Sequence, residues 1–347
     1  MNNRERIDLL EKQGTLSRDD FRMLLYSYTD GDRAYAAEKA RVVSLMNFGN
    51  KVFFRGLIEI SNYCKNDCCY CGIRRSNENA VRYRLSSDDI LSCCDYAYGI
   101  GFRTFVMQGG EDAWFTDERL VPLIREIKGR YSDCAVTLSL GERGRESFQR
   151  LFDAGADRYL LRHETACASH YARLHPAELS FEHRMQCLRD LKDIGYQTGC
   201  GMMVRSPFQT LDNIVTDLYY MKEFEPAMIG IGPFIPHHDT PFRDYPAGSA
   251  EDTLLLLSII RLMHPKVLLP ATTALGTVQG NGRERGVLAG ANVVMPNVSP
   301  TDVRKNYLLY DNKIGTKDDA SESVARLKAS MARIGYEVVV ARGDYEG

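Results

Sequence analysis

Short apolar segments alternate with amphipathic segments along most of the chain. From residue 52 onward, eight segments of four to eight residues are rich in apolar side chains, and stretches with helical periodicity lie between most of them. We predict strands at residues 53–60, 104–108, 135–140, 158–161, 197–204, 228–231, 267–271 and 292–295. We predict helices at residues 87–98, 117–128, 145–154, 181–194, 210–224 and 249–263.

Strands that alternate with helices favour a parallel sheet, and eight of them favour a closed (βα)8 TIM barrel of the α/β class. An open doubly wound sheet is the alternative. The first fifty residues carry helical patterns instead, and Ser17, with Asp20 three residues later, is a suitable N-cap. We therefore predict a helical extension at residues 1–50 and one barrel domain at residues 51–347, which ends in a helix at 320–334 and a short strand at 336–340.

The composition is that of a globular protein with an ample core. The 347 residues are 44% hydrophobic and 26% charged, and the formal net charge is −2. No global basic field recruits nucleic acid, and no apolar run approaches the length of a membrane span. The first residues carry charges where a secretory signal needs an apolar run. We expect a cytoplasmic protein with neither a nucleic-acid nor a membrane partner.

Three of the ten cysteines form a tight group. Cys64, Cys68 and Cys71 have the spacing C-x3-C-x2-C, with Tyr70 just before the last of them. Three thiolates on one loop can hold three irons of a [4Fe–4S] cluster and leave the fourth iron open to a small molecule. A structural zinc site would need a fourth ligand, usually from a second C-x2-C pair, which the chain does not have. Cys69 falls between the ligands, and we interpret it as a packed or exposed thiol.

This spacing resembles that of the radical S-adenosylmethionine (SAM) superfamily. In those enzymes the open iron binds the amino and carboxylate groups of SAM, and one electron cleaves SAM to methionine and a 5′-deoxyadenosyl radical. The run at residues 109–111, after the second predicted strand, resembles the "GGE" element that contacts the SAM amino group. The cysteine loop itself follows the first strand, which fits the rule that barrel enzymes carry their chemistry at the carboxyl ends of strands.

Polar residues follow the fourth strand as well. Arg162 can clamp a carboxylate, and Glu164 can accept from ribose hydroxyls or an ammonium group. His163 is a candidate acid–base group, although a structural histidine is the better interpretation. Arg184, on the helix that follows, is either a second carboxylate ligand or a solvated arginine. Residues 229–237 form an apolar strand with turns at Gly and Pro, and its flat apolar surface would suit adenine. Met228 packs either against this surface or in the core.

A closer resemblance is to the HydE family of [FeFe]-hydrogenase maturases. It extends from about residue 50 to about residue 315. The matching segments are residues 56–62, 71–77, 82–84, 137–142, 157–165, 230–237 and 270–276.

The resemblance implies a role for each group of residues. It makes Cys64, Cys68 and Cys71 the cluster ligands. The residues that it implies as contacts to SAM are Tyr70, Gly109, Gly110, Glu111, Thr137, Ser139, Glu164, Arg184 and Met228. The residues that it implies as contacts to an anion or substrate inside the barrel are Arg162, Thr272, Thr273, Tyr307 and Tyr310.

The resemblance also implies a reaction and partners. HydE acts with HydF and with the radical SAM enzyme HydG to build the diiron subcluster of the hydrogenase, and a ferredoxin or flavodoxin would supply electrons. The expected substrate is an organometallic Fe(CO)2(CN)–cysteine precursor delivered from HydG. The expected step is attack of the deoxyadenosyl radical on the cysteine sulfur of that precursor.

The chain departs from some family members at residues 314–320, where extra cysteines would bind a second cluster and none is present. We therefore predict a single cluster. Three alternatives remain. A methylornithine synthase (PylB) would isomerise lysine and shares the single cluster. Biotin synthase would need a second cluster inside the barrel. A non-enzymatic carrier would hand its cluster to a partner and cleave no SAM.

Overall fold

The computed structural model describes residues 1–316 and 320–347. The helices within these residues are α1 (Asn3–Gln13), α2 (Arg18–Ser27), α3 (Asp30–Phe48), α4 (Ser87–Gly99), α5 (Asp117–Arg130), α6 (Arg145–Asp153), α7 (Ala168–Leu174), α8 (Phe181–Ile194), α9 (Leu211–Phe224), α10 (Ala250–Met263), α11 (Thr273–Val278), α12 (Gly282–Leu288), α13 (Thr301–Arg304) and α14 (Ala320–Arg333). The strands are β1 (Lys51–Phe54), β2 (Gly56–Ser61), β3 (Thr104–Gly109), β4 (Ala135–Ser139), β5 (Arg158–Leu160), β6 (Gln197–Cys200), β7 (Met203–Val204), β8 (Met228–Ile229), β9 (Gly232–Pro233), β10 (Val293–Val294) and β11 (Glu337–Val339). None of the described helices is both long and apolar enough to cross a membrane.

The chain begins with three helices that start at side-chain caps. Asn2, Ser17 and Thr29 each accept a hydrogen bond from a backbone N–H in the first turn of α1, α2 and α3. Ser17 thus caps α2, as its position in the sequence predicts. Helix α3 buries the small residues Ala36 and Ala40 and packs along α10, so the three helices lie against the outer layer of the barrel.

Six parallel strands form the main wall of the barrel, in the order β2-β3-β4-β5-β6-β8. Single bridges complete the ring, from Met228 to Leu268 and from Pro270 to Val293, and β10 then pairs with β1. The predicted seventh strand is therefore reduced to two bridging residues. Proline has no N–H to donate, so Pro270 cannot extend a ladder in both directions.

Two predicted strands are each divided in two, and a third is shorter than predicted. Residues 53–60 become β1 and β2 with Arg55 between them, and only β2 pairs with β3. Residues 197–204 become β6 and β7, with Gly201 and Met202 between them, and residues 228–231 keep only β8. A Cβ atom on Gly201 would lie 1.9 Å from the Gly230 carbonyl oxygen. At the carboxyl end of the barrel, β7 pairs with β9, which lies just beyond the predicted strand.

The amino end of the barrel is closed by the segment at residues 342–345. Two arginines are buried there, and burial lowers the pKa of both. Arg158 donates to the Asp344 carboxylate at 2.6 Å and to the Thr104 hydroxyl at 3.1 Å. Arg55 donates to the Gly343 carbonyl at 3.4 Å. The carboxyl end, where the cysteine loop leaves β2, holds the cavity described below.

We expect Asp344→Asn to lower the free energy of unfolding by about 2 kcal/mol, because it removes the carboxylate that binds the buried Arg158 and leaves only the weaker attraction of Asp157. Hydrogen bonds from Arg342 and the charge of Arg158 outweigh the effect of burial and lower the pKa of Asp344. The stabilisation is therefore present at neutral pH and is lost as the pH falls below about 4, the ordinary value for Asp. Urea unfolding of the apo protein at pH 7 and pH 3.5 measures both effects. Asp244→Asn, at an exposed position, is the control, and equal midpoints for the two variants at pH 7 would contradict the prediction.

Candidate active site

A cavity of about 320 Å³ opens at the carboxyl ends of the strands. Its volume is within the range of small-molecule sites. Most of the residues singled out in the sequence line it, from seven separate segments of the chain. They are Cys64, Cys68, Tyr70, Cys71, Gly109, Gly110, Glu111, Ser139, Arg162, Glu164, Arg184, Thr272, Tyr307 and Tyr310.

The cysteine loop follows β2 and has no regular secondary structure, so its backbone groups need other partners. Arg82 supplies them, because its guanidinium donates to the carbonyl oxygens of Asn62 at 2.5 Å and Ile73 at 2.8 Å. It also donates to the carbonyl oxygens of Arg74 at 2.6 Å and Asn77 at 3.1 Å. One half-buried cation therefore holds both ends of the cysteine segment in place.

The three thiols of the motif face one another across the cavity. Burial raises the pKa of Cys68, and the charges of Cys71 and Cys64 raise it further. Burial likewise raises the pKa of Cys71 to about 12. Their sulfur atoms do not all lie within 4.8 Å of one another, whereas a zinc ion about 2.3 Å from each would bring them to about 3.8 Å. The spacing therefore suits a larger iron–sulfur cluster better than a single ion.

Cys69 lies apart from this group. Its side chain packs against the apolar cluster of Leu174, Met203, Phe234 and Phe242, and its backbone N–H donates to the Leu174 carbonyl at 2.9 Å. Burial raises the pKa of this thiol, and the charged neighbours that influence it are Arg74 and Asp67 rather than the other cysteines. The geometry supports its interpretation as a packed thiol.

The glycine pair after β3 lets two backbones touch. A Cβ atom on Gly110 would lie 2.2 Å from the Tyr63 carbonyl oxygen and 2.8 Å from Cys64 Cβ. Gly110 N–H donates to the Ser61 carbonyl at 3.1 Å, and Lys65 N–H donates to the Glu111 carbonyl at 3.0 Å. Only glycine leaves room for this contact, which places Glu111 beside the cysteine loop.

The Tyr70 side chain is held in place by a histidine at the end of helix α7. His175 Nδ1 donates to the Tyr171 carbonyl at 3.0 Å, so its Nε2 accepts from the Tyr70 hydroxyl at 3.1 Å. Burial and the charge of Arg184 lower the pKa of His175 to about 3, which keeps the ring neutral and preserves this arrangement. The aromatic ring beside Cys71 is thereby held against α7.

Arg184 lies among acidic side chains beside the cavity. It donates to Glu142 Oε1 at 2.5 Å and to the Arg162 carbonyl at 2.7 Å, and it is 3.8 Å from Glu111 Oε1. Burial opposes its charge, but Tyr171, Glu142 and other neighbours outweigh it and raise its pKa. Arg184 is therefore a permanent cation, and because it lines the cavity its remaining N–H groups are available to a ligand there.

Arg162 and Glu164 form an ion pair in the cavity wall, with Arg162 Nη2 3.0 Å from Glu164 Oε2. Both atoms are buried without a well-oriented hydrogen-bond partner among the residues that the structure describes, and so is Glu111 Oε2. Glu164 has a φ of 62°, a left-handed conformation that costs about 1 kcal/mol for a non-glycine residue. Buried polar atoms left unsatisfied beside strained backbone indicate a ligand site.

Thr272, Tyr307 and Tyr310 line the opposite side of the cavity, with Gln108 donating to the Tyr307 hydroxyl at 3.3 Å. The loop that carries both tyrosines is anchored by Lys313. Its ammonium group is 2.5 Å from Glu59 inside the barrel and donates to the Tyr307 carbonyl at 2.8 Å.

Four residues considered in the sequence lie elsewhere. Thr137 is buried within β4, and Thr273 accepts from Arg283 at 3.3 Å in a neighbouring cavity. Met228 lies at the amino end of the barrel, where Arg55 contacts its sulfur at 2.9 Å. His163 is fully buried between the Gly201 N–H and Asp217, which fits a structural role. None of the four lines the cavity.

The structure adds residues that the sequence analysis did not single out. Glu142 lies three residues after the end of β4, so the strand-end rule could have found it. Met203 adds apolar surface beside Ile235, which belongs to the predicted adenine segment 229–237. His175 and Lys313 act through contacts between distant segments, and nothing local in the sequence marks them.

Comparison with known proteins identifies the family. A family model described as the radical SAM superfamily matches residues 58–218. The chain is also 46% identical over 266 residues to the [FeFe] hydrogenase maturase subunit HydE of Thermotoga maritima, which covers 77% of this chain and 76% of that protein. The chain belongs to the radical SAM superfamily, in the family of HydE. It is a radical SAM enzyme, and this family uses a [4Fe–4S] cluster and SAM.

Other radical SAM proteins share the whole fold. The chain is 30% identical over 319 residues to 3-methylornithine synthase of Methanosarcina acetivorans, covering 91% of this chain and 89% of that protein. The crystal structure of methylornithine synthase (PylB) matches with a TM-score of 0.85 at 27% identity, over 96% of this chain and 97% of that one. The predicted radical SAM barrel is confirmed.

We expect Gly110→Ala to remove most of the bound iron, because the added methyl group collides with the backbone of the cysteine loop. Gly144→Ala is the matched control. It lies in a loop after a neighbouring strand, has a φ of −68°, and has no atom within 4 Å of an added Cβ. Iron and sulfide content after anaerobic reconstitution measures the effect. Full iron content in Gly110→Ala would show that the loop tolerates displacement.

Proposed function

We propose that this protein cleaves SAM reductively and acts in assembly of the [FeFe]-hydrogenase diiron subcluster, on an Fe(CO)2(CN)–cysteine precursor. The observation that carries the proposal is a single cavity that joins three cysteine thiols to buried, unsatisfied charged groups. The 46% identity to HydE supports the choice of pathway.

We assign Cys64, Cys68 and Cys71 as the ligands of one [4Fe–4S] cluster. When bound, the cluster and SAM supply one-electron cleavage to methionine and a 5′-deoxyadenosyl radical. We leave Cys69 out of this set, and its apolar packing supports that choice. Residues 317–319, part of the segment that lacks the extra cysteines, lie outside the described residues, and the prediction of a single cluster rests on the sequence alone.

The methionine end of SAM would lie beside the charged groups. Gly109, Gly110 and Glu111 present carbonyl and carboxylate oxygens to an ammonium group, and Arg184 presents a permanent cation to a carboxylate. Ser139 lies on the same wall. This pairing would give a hydrogen bond to the buried Glu111 Oε2, which within the described parts of the chain has only the Lys65 ammonium group at 3.3 Å.

The nucleoside end would lie across the mouth. Glu164 Oε2, buried and unsatisfied, would accept from ribose hydroxyls. Tyr70 and the apolar wall of Gly230, Phe234 and Ile235 would hold the adenine. We move the role expected for Met228 to Met203 and Ile235, because these two line the cavity, and we assign no ligand contact to Thr137.

The substrate would occupy the side lined by Arg162, Thr272, Tyr307 and Tyr310. Arg162 carries a buried Nε without a hydrogen-bond partner among the described residues, which suits a carboxylate or a cyanide-bearing anion. Thr273 faces the neighbouring cavity, so we leave it out of this group. Burial raises the pKa of Tyr310 to about 12, and the two tyrosines stay neutral donors that keep bulk water from a radical.

The partners follow from the proposed pathway. HydG would deliver the precursor, HydF would receive the product, and a ferredoxin or flavodoxin would reduce the cluster. These are the expectations that the resemblance carries, supported by the relationship to a protein named as a maturase subunit.

We expect Cys68→Ala to lose the cluster and all SAM cleavage, whereas Cys69→Ala keeps both. The measurement is anaerobic reconstitution, reduction with dithionite, electron paramagnetic resonance with and without SAM, and assay of 5′-deoxyadenosine. A spectrum that shifts with SAM in the wild type and in Cys69→Ala alone supports the assignment. A stable cluster with no response to SAM would favour a cluster carrier and overturn the proposal.

A second test separates the maturase from a lysine mutase, which the similarity to methylornithine synthase makes the leading alternative. We expect hydrogenase activity in a maturation mixture with HydG and HydF to depend on this protein, and lysine to remain unconsumed. Arg162→Met should abolish maturation while leaving SAM binding within about twofold, because Arg162 lies on the substrate side. Consumption of lysine, or maturation that proceeds without the protein, would reverse the choice.

A further inference from the structure

An exposed patch of aromatic and cationic side chains adjoins the cysteine loop. Trp114, the only tryptophan of the chain, is 46% exposed, and Tyr63, directly before Cys64, is 36% exposed. The guanidinium carbon of Arg84 lies 3.8 Å from the centre of the Tyr63 ring and 5.4 Å from that of Trp114. That of Arg119 lies 3.6 Å from Trp114 on the same surface. We call these four residues the tryptophan patch.

The patch is held rigidly to the cluster-binding segment. Arg84 donates to both oxygens of Asp112, at 2.7 and 3.0 Å. Asp112 also accepts from the Ser61 hydroxyl at 2.6 Å and from the Trp114 backbone N–H at 3.0 Å. Ser61 in turn accepts from the Tyr63 N–H at 3.1 Å. A surface fixed in this way loses little conformational entropy when a partner binds.

Two ion pairs of this surface expose the cation and bury the carboxylate. Lys65 is 58% exposed while its partner Glu111 is only 9% exposed, and Arg84 is 34% exposed while Asp112 is 3% exposed. Arg119 and Arg75 are exposed too, and no carboxylate among residues 1–316 and 320–347 lies within 4.0 Å of either one. The exposed acid nearest in sequence to Arg119, Glu118, is paired with Arg150. An approaching molecule therefore meets positive charge.

These features match a docking site for a protein. Trp, Tyr and Arg are the residues most enriched at interaction hot spots, and electrostatic complementarity raises association rates more than affinity. Electron transfer slows steeply with distance, so a donor must bind beside the loop that holds the cluster. On the basis of the proposed function, we infer that the tryptophan patch docks an acidic one-electron carrier protein that reduces the cluster.

The test compares two ways of reducing the reconstituted enzyme. Dithionite needs no docking surface, whereas flavodoxin with its NADPH-dependent reductase does. The double variant Trp114→Ala/Arg119→Glu changes only exposed side chains that contact neither the cavity nor Asp112. Lys51→Glu is the matched control, because it reverses an exposed cation at the opposite end of the barrel.

We expect the flavodoxin-driven rate of 5′-deoxyadenosine formation to fall about tenfold in the double variant at low ionic strength, within the range of electrostatic steering. The dithionite-driven rate should stay within twofold of the wild type, and Lys51→Glu should change neither rate. Added salt should slow the flavodoxin-driven reaction of the wild type more than that of the variant.

Three outcomes would overturn the inference. One is a flavodoxin-driven rate that the double variant leaves unchanged. Another is an equal loss with dithionite, which would mean that the patch supports the site and not the donor. The third is a wild-type dimer that the variant converts to a monomer in light scattering, which would assign the patch to a second copy of the chain. Absence of 5′-deoxyadenosine from the wild type with dithionite would instead refute the proposed function itself.

Discussion

The guanidinium of Arg82 is the contact on which the site depends. A loop that directs three thiols to one point has no regular secondary structure to pair its backbone N–H and C=O groups. Arg82 therefore donates hydrogen bonds to four of its carbonyl oxygens. Other segments rest on the loop once it is fixed. The Gly72 N–H donates to the Leu309 carbonyl at 2.9 Å, and the Asn62 side chain donates to the Asn306 carbonyl at 2.7 Å. The loop that bears Tyr307 and Tyr310 is thus placed by the loop that bears the cysteines.

Charge is distributed unevenly along the axis of the barrel. At the closed end, Arg158 uses its donors on side-chain and backbone partners, and Arg55 contacts the Met228 sulfur and the Gly343 carbonyl while its Nε stays buried without a partner in the described part of the chain. At the open end, Arg162 and Glu164 pair with each other, and neither makes a well-oriented hydrogen bond to a described residue through the buried Arg162 Nη2 and Glu164 Oε2 atoms. An unsatisfied buried group costs about 1–3 kcal/mol, and of these four residues only Arg162 and Glu164 line the cavity that a ligand can enter.

The sequence predicted the alternation of elements and most of the loops that face the cavity, because each depends on local spacing and on the rule that strand ends carry chemistry. The cysteine ligand set stays a prediction, and its three thiols do line the cavity. Prediction from the sequence failed where position along a strand mattered. Met228 and Thr137 lie on the right strands but too far from the mouth, and Thr272 and Thr273, adjacent in sequence, face different cavities. The contacts of His175 with Tyr70 and of Lys313 with Glu59 span 105 and 254 residues. No local pattern encodes such pairs.

The closure of the barrel floor by residues 342–345 ties the order of folding to the end of the described chain. Arg55 reaches its carbonyl partner across 288 residues, and Arg158 reaches Asp344 across 186. Contacts of such long range form late, because loop closure must be complete before they contribute. During synthesis the strands can pair before residues 342–345 are available, and Arg158 then lacks its Asp344 partner. Completion of the barrel floor is therefore a late step of folding that follows strand pairing.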